Sequence, residues 1–170
     1  MCVMKPFRLW LFKRLTGWLP ESRCFGFKRL LLRFAGAQIG DNVRIYSSAT
    51  IVGNGALVIG DDVHVGSGVF ISAFAPAGVM IGSHVDIGPQ AMILTGSHKI
   101  DTVGEHAAGE GTAASVTIGD GCWLGARSLV LPGVALAPKT VLGAGAVATK
   151  TVASPNTIQV GLPARQLRTF

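Results

Sequence analysis

The chain has 170 residues, the size of one domain, with 49% hydrophobic and only 14% charged side chains. No unbroken apolar run approaches the ~20 residues that span a bilayer, so the apolar excess belongs to a packed interior. The net charge of +6 is concentrated in residues 1–35, where Lys5, Arg8, Lys13, Arg14, Arg23, Lys28, Arg29 and Arg33 face Glu21 alone, a balance of +7. The remaining seven basic and eight acidic side chains sum to −1.

Residues 1–36 predict a basic amphipathic segment of two short helices. Phe7, Trp10, Leu11, Leu15 and Trp18 recur at helical spacing, with Pro6 opening the turn and Gly17 and Pro20 closing it. A second helical stretch runs from Phe27 to Phe34 and ends near Gly36. Lys and Arg interrupt every apolar run and no cleavage pattern follows, which argues against a signal peptide. Two roles stay open. The segment covers an open end of the fold that follows, or it lies on an anionic membrane with cations at headgroup level and aromatics below. Too apolar for base recognition, it predicts no nucleic-acid partner. Cys2, Cys24 and Cys122 show neither metal-ligand spacing nor a disulfide framework and read as free thiols, Cys122 in the core. They suit a cytoplasmic location, with peripheral contact at the inner face of the membrane as the open extension.

From residue 37 to 153 a six-residue beat takes over. Ile39, Ile45, Ile51; Ile59, Val65, Ile71; Ile81, Ile87, Ile93; then Ile118, Leu124, Val130, Leu136, Leu142 and Ala148 repeat at that spacing. A smaller residue stands four positions after many of them: Val43, Ala49, Val63, Val85, Ala91, Cys122, Ser128, Val134 and Ala146. Six is neither a helical nor a heptad period. It marks an all-β parallel β-helix, in which each short strand adds one flat side to a coil. The beat slips at Leu57–Ile59 and at Phe74–Met80, and breaks completely over an inserted loop, 97–116, which is polar and Gly-rich. Long loops on rigid scaffolds are disproportionately functional. Residues 154–170, with Pro155 and Pro163, predict an extended tail. A lone β-helix leaves apolar flanks to cover, so an oligomer is expected.

The stretch IGSHVDIGPQAMILTGSH is similar to the approach to the catalytic His of the hexapeptide-repeat acyltransferases that acetylate galactosides and maltose. VTIGDGCWLGARSLVLPGVALAPKTVLGAGAVATK and VGLPARQLR resemble their acetyl-CoA-binding end. The basic leader and the TGSH form resemble more closely members acting on lipopolysaccharide, capsule or exopolysaccharide. The resemblance implies a left-handed coil, a homotrimer with active sites between neighbouring subunits, acetyl-CoA as donor, direct transfer and no metal. It implies His98 as general base, Trp123 in the cofactor-side W-[IL]-G stretch, and Ala126 with its backbone N–H facing the thioester. Gly143 and Ala144 match the turn along the pantetheine arm. Thr149 and Lys150 match the TK near the CoA end, and Arg165 and Arg168 the tail cations near its phosphates. One departure concerns the acceptor: Ser67 and Gly68 stand where galactoside-acetylating relatives carry an Asn-containing stretch.

Moving an acetyl group from a thioester to a hydroxyl needs a base, donors for the developing oxyanion, and substrates held in line. An imidazole of ordinary pKa near 6.5 suits the first task at cytoplasmic pH. Asp86, Asp101, Glu105 and Glu110 are candidates to fix its tautomer, with Asp101 and Glu105 ahead because they share the loop. Main-chain N–H groups around Gly125 and Ala126 are the expected oxyanion donors, although Gly125 is equally a coil corner. Ser67, Asp86 and His106 are candidates on the acceptor side, while His64 and His84 read as surface residues. Trp123 should point outward, to pack on a neighbouring subunit or wall the acceptor pocket. The leading expectation is an acetyl-CoA-dependent O-acetyltransferase acting on a sugar hydroxyl of a surface polysaccharide or a lipid-linked saccharide. N-acetylation of an amino sugar, a silent β-helix scaffold, and a metal-dependent hydrase using several His are the alternatives.

Overall fold

The computed structural model describes residues 3–170, so Cys2 lies outside the described residues. Two helices come first, α1 (Pro6–Thr16) and α2 (Phe25–Phe34). Proline opens α1 at a position where its missing N–H costs nothing. The helix does not bury the aromatic stripe. Leu9, Phe12 and Thr16, also one helical face, turn inward, while Phe7, Trp10, Leu15 and Trp18 are exposed.

Three triplets of short strands follow. The first coil holds β1 (Gln38–Ile39), β2 (Arg44–Ile45) and β3 (Thr50–Val52). The second holds β4 (Ala56–Ile59), β5 (His64–Val65) and β6 (Phe70–Ser72), and the third β7 (Gly78–Ile81), β8 (Asp86–Ile87) and β9 (Met92–Leu94). The predicted loop is not irregular. It forms an antiparallel hairpin of β10 (Gly96–Ile100) and β11 (Ala108–Ala113), whose alternation is masked by glycine and polar side chains on both faces. The Ala114 N–H donates to Thr95 O at 2.8 Å, which returns the chain to its point of departure. The coil then resumes with β12 (Val116–Ile118), β13 (Trp123–Leu124), β14 (Leu129–Val130), β15 (Ala135–Leu136), β16 (Val141–Leu142) and β17 (Val147–Ala148). Beyond 154 the chain pairs back into the structure: β18 (Thr157–Val160) runs parallel to β16, and β19 (Arg165–Thr169) folds antiparallel onto β18.

Strands stack into three parallel sheets: β1-β4-β7-β12-β15, β2-β5-β8-β13-β16-β18 with β19 at its edge, and β3-β6-β9-β14-β17. The register puts like anchors on each other, as in Ile39, Ile59, Ile81, Ile118 and Leu136 along the first sheet. All fifteen anchors are buried, and so are the nine smaller residues of the second series. Between the first and second sheets each coil turns through a residue of positive φ: Asn42, Asp62, His84, Gly121, Lys139 and Asn156. Asn, Asp and Gly tolerate that conformation best, which accounts for their recurrence there.

The first coil leaves an open edge, and basic side chains close it. Arg33 donates to Ile39 O and Gly40 O, Arg29 to Val43 O, and Lys13 to Ala49 O. Lys28 is buried and donates to Glu21 O at 2.7 Å, with burial pushing its pKa down. The capping role of the leader is therefore visible in its cations.

Candidate active site

His98 sits on β10, opposite Gly111 on β11. Its Nδ1 lies 2.9 Å from the carbonyl oxygen of Gly109. A carbonyl only accepts, so Nδ1 carries the proton in this contact and the Nε2 lone pair is left free. The orienting partner is thus a main-chain carbonyl rather than Asp101 or Glu105. Asp101 is occupied elsewhere: its Oδ1 accepts the N–H groups of Val103 and Gly104, and these bonds lower its pKa. Glu110 pairs with Lys99, and Glu105 makes no hydrogen bond to the ring. His106 is exposed near the hairpin tip.

The hairpin is braced at its base by Thr95, which is fully buried. Its hydroxyl accepts the Phe74 N–H at 2.9 Å and donates to Ser72 O at 3.1 Å. Hydrogen bonds and ion pairs of the β10 and β11 side chains stay within the hairpin. Its imidazole is exposed.

A separate groove of about 320 Å³ runs along the outer face of the second sheet. Tyr46, His64, Ser67, Asp86 and Trp123 line it. The lateral register makes the grouping: His64 lies beside Asp86, and Asp86 beside Trp123. His64 Nδ1 is 3.7 Å from Asp86 Oδ1, an electrostatic rather than a hydrogen-bonding distance, and its ring centroid is 5.2 Å from that of Tyr46. Ser67 Oγ is 3.1 Å from Ser48 Oγ. Trp123 points outward and belongs to this groove. The sequence reading left His64 as a surface residue and did not single out Tyr46; the register that sets His64 one strand below Asp86 is the signal that would have grouped the first, and Tyr46, just past β2, follows from the same coil. His84 stays at its exposed corner, 3.3 Å from Asp62.

At the end of the second sheet the coils turn through Gly66, Gly88, Gly125 and Gly143. A Cβ on Gly125 would stand 2.5 Å from Ala144 N, so this glycine is demanded by coil stacking. Its N–H is also committed, donating to Leu142 O at 2.7 Å. Gly125 is therefore a corner and not a donor, which corrects half of the expected oxyanion pair. Gly143 behaves alike, its N–H bonded to Gln159 O. The N–H groups of Ala126 and Ala144, both exposed, have no acceptor among the described residues. These two stand one above the other on the same corner, because Trp123 and Leu124 pair with Val141 and Leu142.

Thr149 and Lys150 are exposed just past β17. The Val147 N–H donates to Gly161 O and the Ala164 N–H to Val147 O, which brings the start of β19, with Arg165, beside that strand. Arg168 is exposed farther along β19, opposite Ile158. Among the described residues no three His, Cys, Asp or Glu side chains converge as a ligand set. The chain thus assembles Ser67, Asp86 and Trp123 in one place and Ala126 with Ala144 in another. His98 stands on an arm that leaves the coil between the third and first sheets.

A family model for the hexapeptide repeat of succinyl-transferase matches residues 36–73 and 115–150. A candidate colanic acid biosynthesis acetyltransferase of Escherichia coli K12, WcaF, is 33% identical over 154 residues, covering 89% of this chain and 79% of its own. The galactoside O-acetyltransferase of the same organism is 27% identical over 176 residues, covering 93% and 84%. Among solved structures, a mutant of AntD, an N-acyltransferase from Bacillus cereus in complex with dTDP and coenzyme A, shares the fold. Its TM-score is 0.67 at 18% identity, over 78% of this chain and 73% of that one.

Proposed function

The chain belongs to the hexapeptide-repeat acetyltransferases, and on that footing we propose that it transfers acetyl from acetyl-CoA to a saccharide hydroxyl in surface-polysaccharide assembly. The observation that carries the reading is the pair of unlike halves. A tautomerically fixed imidazole stands on a projecting arm, and an unbonded N–H stands on a coil corner beside a polar groove. Each half is incomplete alone. A homotrimer, in which the arm of one copy reaches the groove of the next, completes both.

In that arrangement Nε2 of His98 takes the proton of the acceptor hydroxyl as its oxygen attacks the thioester carbonyl carbon. The negative charge that forms on the carbonyl oxygen meets the Ala126 N–H. Collapse breaks the carbon–sulfur bond, and the departing thiolate of CoA recovers the proton from the imidazolium. Ala144 offers its N–H to the pantetheine arm, while Thr149, Lys150, Arg165 and Arg168 lie toward the CoA phosphates. Ser67, Asp86, His64 and Tyr46 hydrogen-bond the sugar, and Trp123 gives it a flat apolar wall. Colanic acid in the name of a 33% identical relative supports a polysaccharide or lipid-linked acceptor.

His98→Ala tests the base. Acetyl transfer should fall by at least about a hundred-fold, with acetyl-CoA binding and oligomeric mass retained. Near-normal turnover would remove His98 from the reaction. An amino-sugar panel run beside hydroxyl acceptors distinguishes N- from O-transfer.

A further inference from the structure

The two helices that close the first coil turn an aromatic and cationic face outward, and we infer that this face docks on an anionic lipid surface. The inference does not rest on the acetyl-transfer reading. On α1 and the turn after it, Phe7, Trp10 and Trp18 are 72%, 54% and 91% exposed. On α2, Phe27, Leu30 and Phe34 form a second exposed row at the same helical spacing. Phe7 stacks on Trp10 within the first row, and the Arg8 guanidinium, 4.3 Å over the Phe34 ring, joins it to the second. Burying so much aromatic surface against the coil was open to this sequence. The inward face was instead given to Leu9, Phe12 and Thr16.

The charges divide by task. Lys13, Lys28, Arg29 and Arg33 are spent on carbonyl groups of the chain itself. Lys5, Arg14 and Arg23 make no side-chain hydrogen bond or ion pair among the described residues, and Arg14 lies over the Trp10 ring at 5.5 Å. Arg8, like the spent set, donates to a carbonyl, that of Phe34 at 2.9 Å. The only acid of the segment, Glu21, accepts the Ser48 N–H and faces no cation of this outer set. Exposed aromatics, three uncommitted cations and no opposing carboxylate match lipid headgroups of negative charge, with the rings entering the acyl boundary. Among the described residues no helix is long and apolar enough to cross a membrane.

The test uses the full chain in a Trp123→Phe background, where Trp10 and Trp18 are the only tryptophans, excited selectively at the red edge. Mixing with phosphatidylcholine vesicles containing phosphatidylglycerol should shift emission to the blue and carry the protein into the vesicle pellet. Phosphatidylcholine alone should do neither, and added salt should weaken the effect. Arg14→Gln and Arg23→Gln should each lower partitioning about five-fold, and Trp18→Ser roughly ten-fold. Absence of binding to the anionic vesicles, binding indifferent to lipid charge, or binding that survives these substitutions would overturn the inference. So would a fall in oligomeric mass in the same variants, which would assign the face to a second copy of the chain.

Discussion

Ala126 and Pro89 occupy the same corner of neighbouring coils, because Trp123 and Leu124 pair with Asp86 and Ile87. Ala126→Pro therefore places a ring where the adjacent coil already carries one, again after a glycine. The substitution deletes one N–H that bonds to nothing among the described residues, so the coil loses no hydrogen bond. Thermal stability should stay close to that of the parent. Turnover should not. Removing a main-chain donor from a developing oxyanion costs about 10²–10³ in kcat, or about 3–4 kcal/mol. The assay follows thiol release from acetyl-CoA in the presence of a saccharide acceptor, with kcat separated from the KM for acetyl-CoA. Ala126→Gly, which keeps the N–H, serves as the control. A folded Ala126→Pro protein within about three-fold of the parent in kcat would refute the assignment of this N–H.

Thr95→Val keeps the volume but removes the hydroxyl that braces the hairpin, leaving the Phe74 N–H unpaired. Unfolding free energy should drop by about 1–3 kcal/mol, and proteolysis of the hairpin should quicken; an unchanged cleavage rate would show that Thr95 does not hold the arm. Ser128 is buried with its Oγ lacking any partner among the described residues, while the same column holds Ala91 and Ala146 in the coils on either side. Ser128→Ala should raise stability by about 1–3 kcal/mol, measured by urea unfolding, and a loss of stability would mean the hydroxyl is satisfied after all.

The coil was legible because its core obeys one rule at every turn. An inward anchor must recur each sixth residue or the stack leaves a hole, so Ile39 through Ala148 announce themselves without any neighbour being known. Gly125 shows where that legibility ends. The same glycine satisfies a ligand-approach reading and a stacking reading, and only the 2.5 Å clearance above it separates them. The hairpin was hidden for another reason. Glycine and polar residues on both faces give β10 and β11 no alternation to read, and a short exposed pair needs none to persist once Thr95 and Ala114 join its ends. The grouping of His64 with Asp86 was hidden because lateral neighbours in a β-helix lie about twenty residues apart, beyond any local motif. On α1 the helix period was legible but not the face, since Leu9, Phe12 and Thr16 make a stripe as periodic as the aromatic one and it is they that turn inward.

The proposed division of the site between the copies of a homotrimer is itself testable. His98→Ala and Ala126→Pro disable opposite halves, so a trimer of either kind should be nearly inactive. Refolding the two together lets copies mix. If the imidazole of one subunit serves the corner of the next, a site is whole whenever the Ala126→Pro copy supplies the arm and the His98→Ala copy the groove. With random mixing that occurs at about one interface in four, because a head-to-tail ring contains each ordered pairing. Activity near a quarter of the parent should then appear from two inactive proteins. If arm and corner of a single chain formed the site, every site would carry one lesion and mixing would restore nothing. The hairpin bonds of His98 to Gly109 and of Lys99 to Glu110 keep the arm's polar contacts to itself, which is why recovery is the expected result.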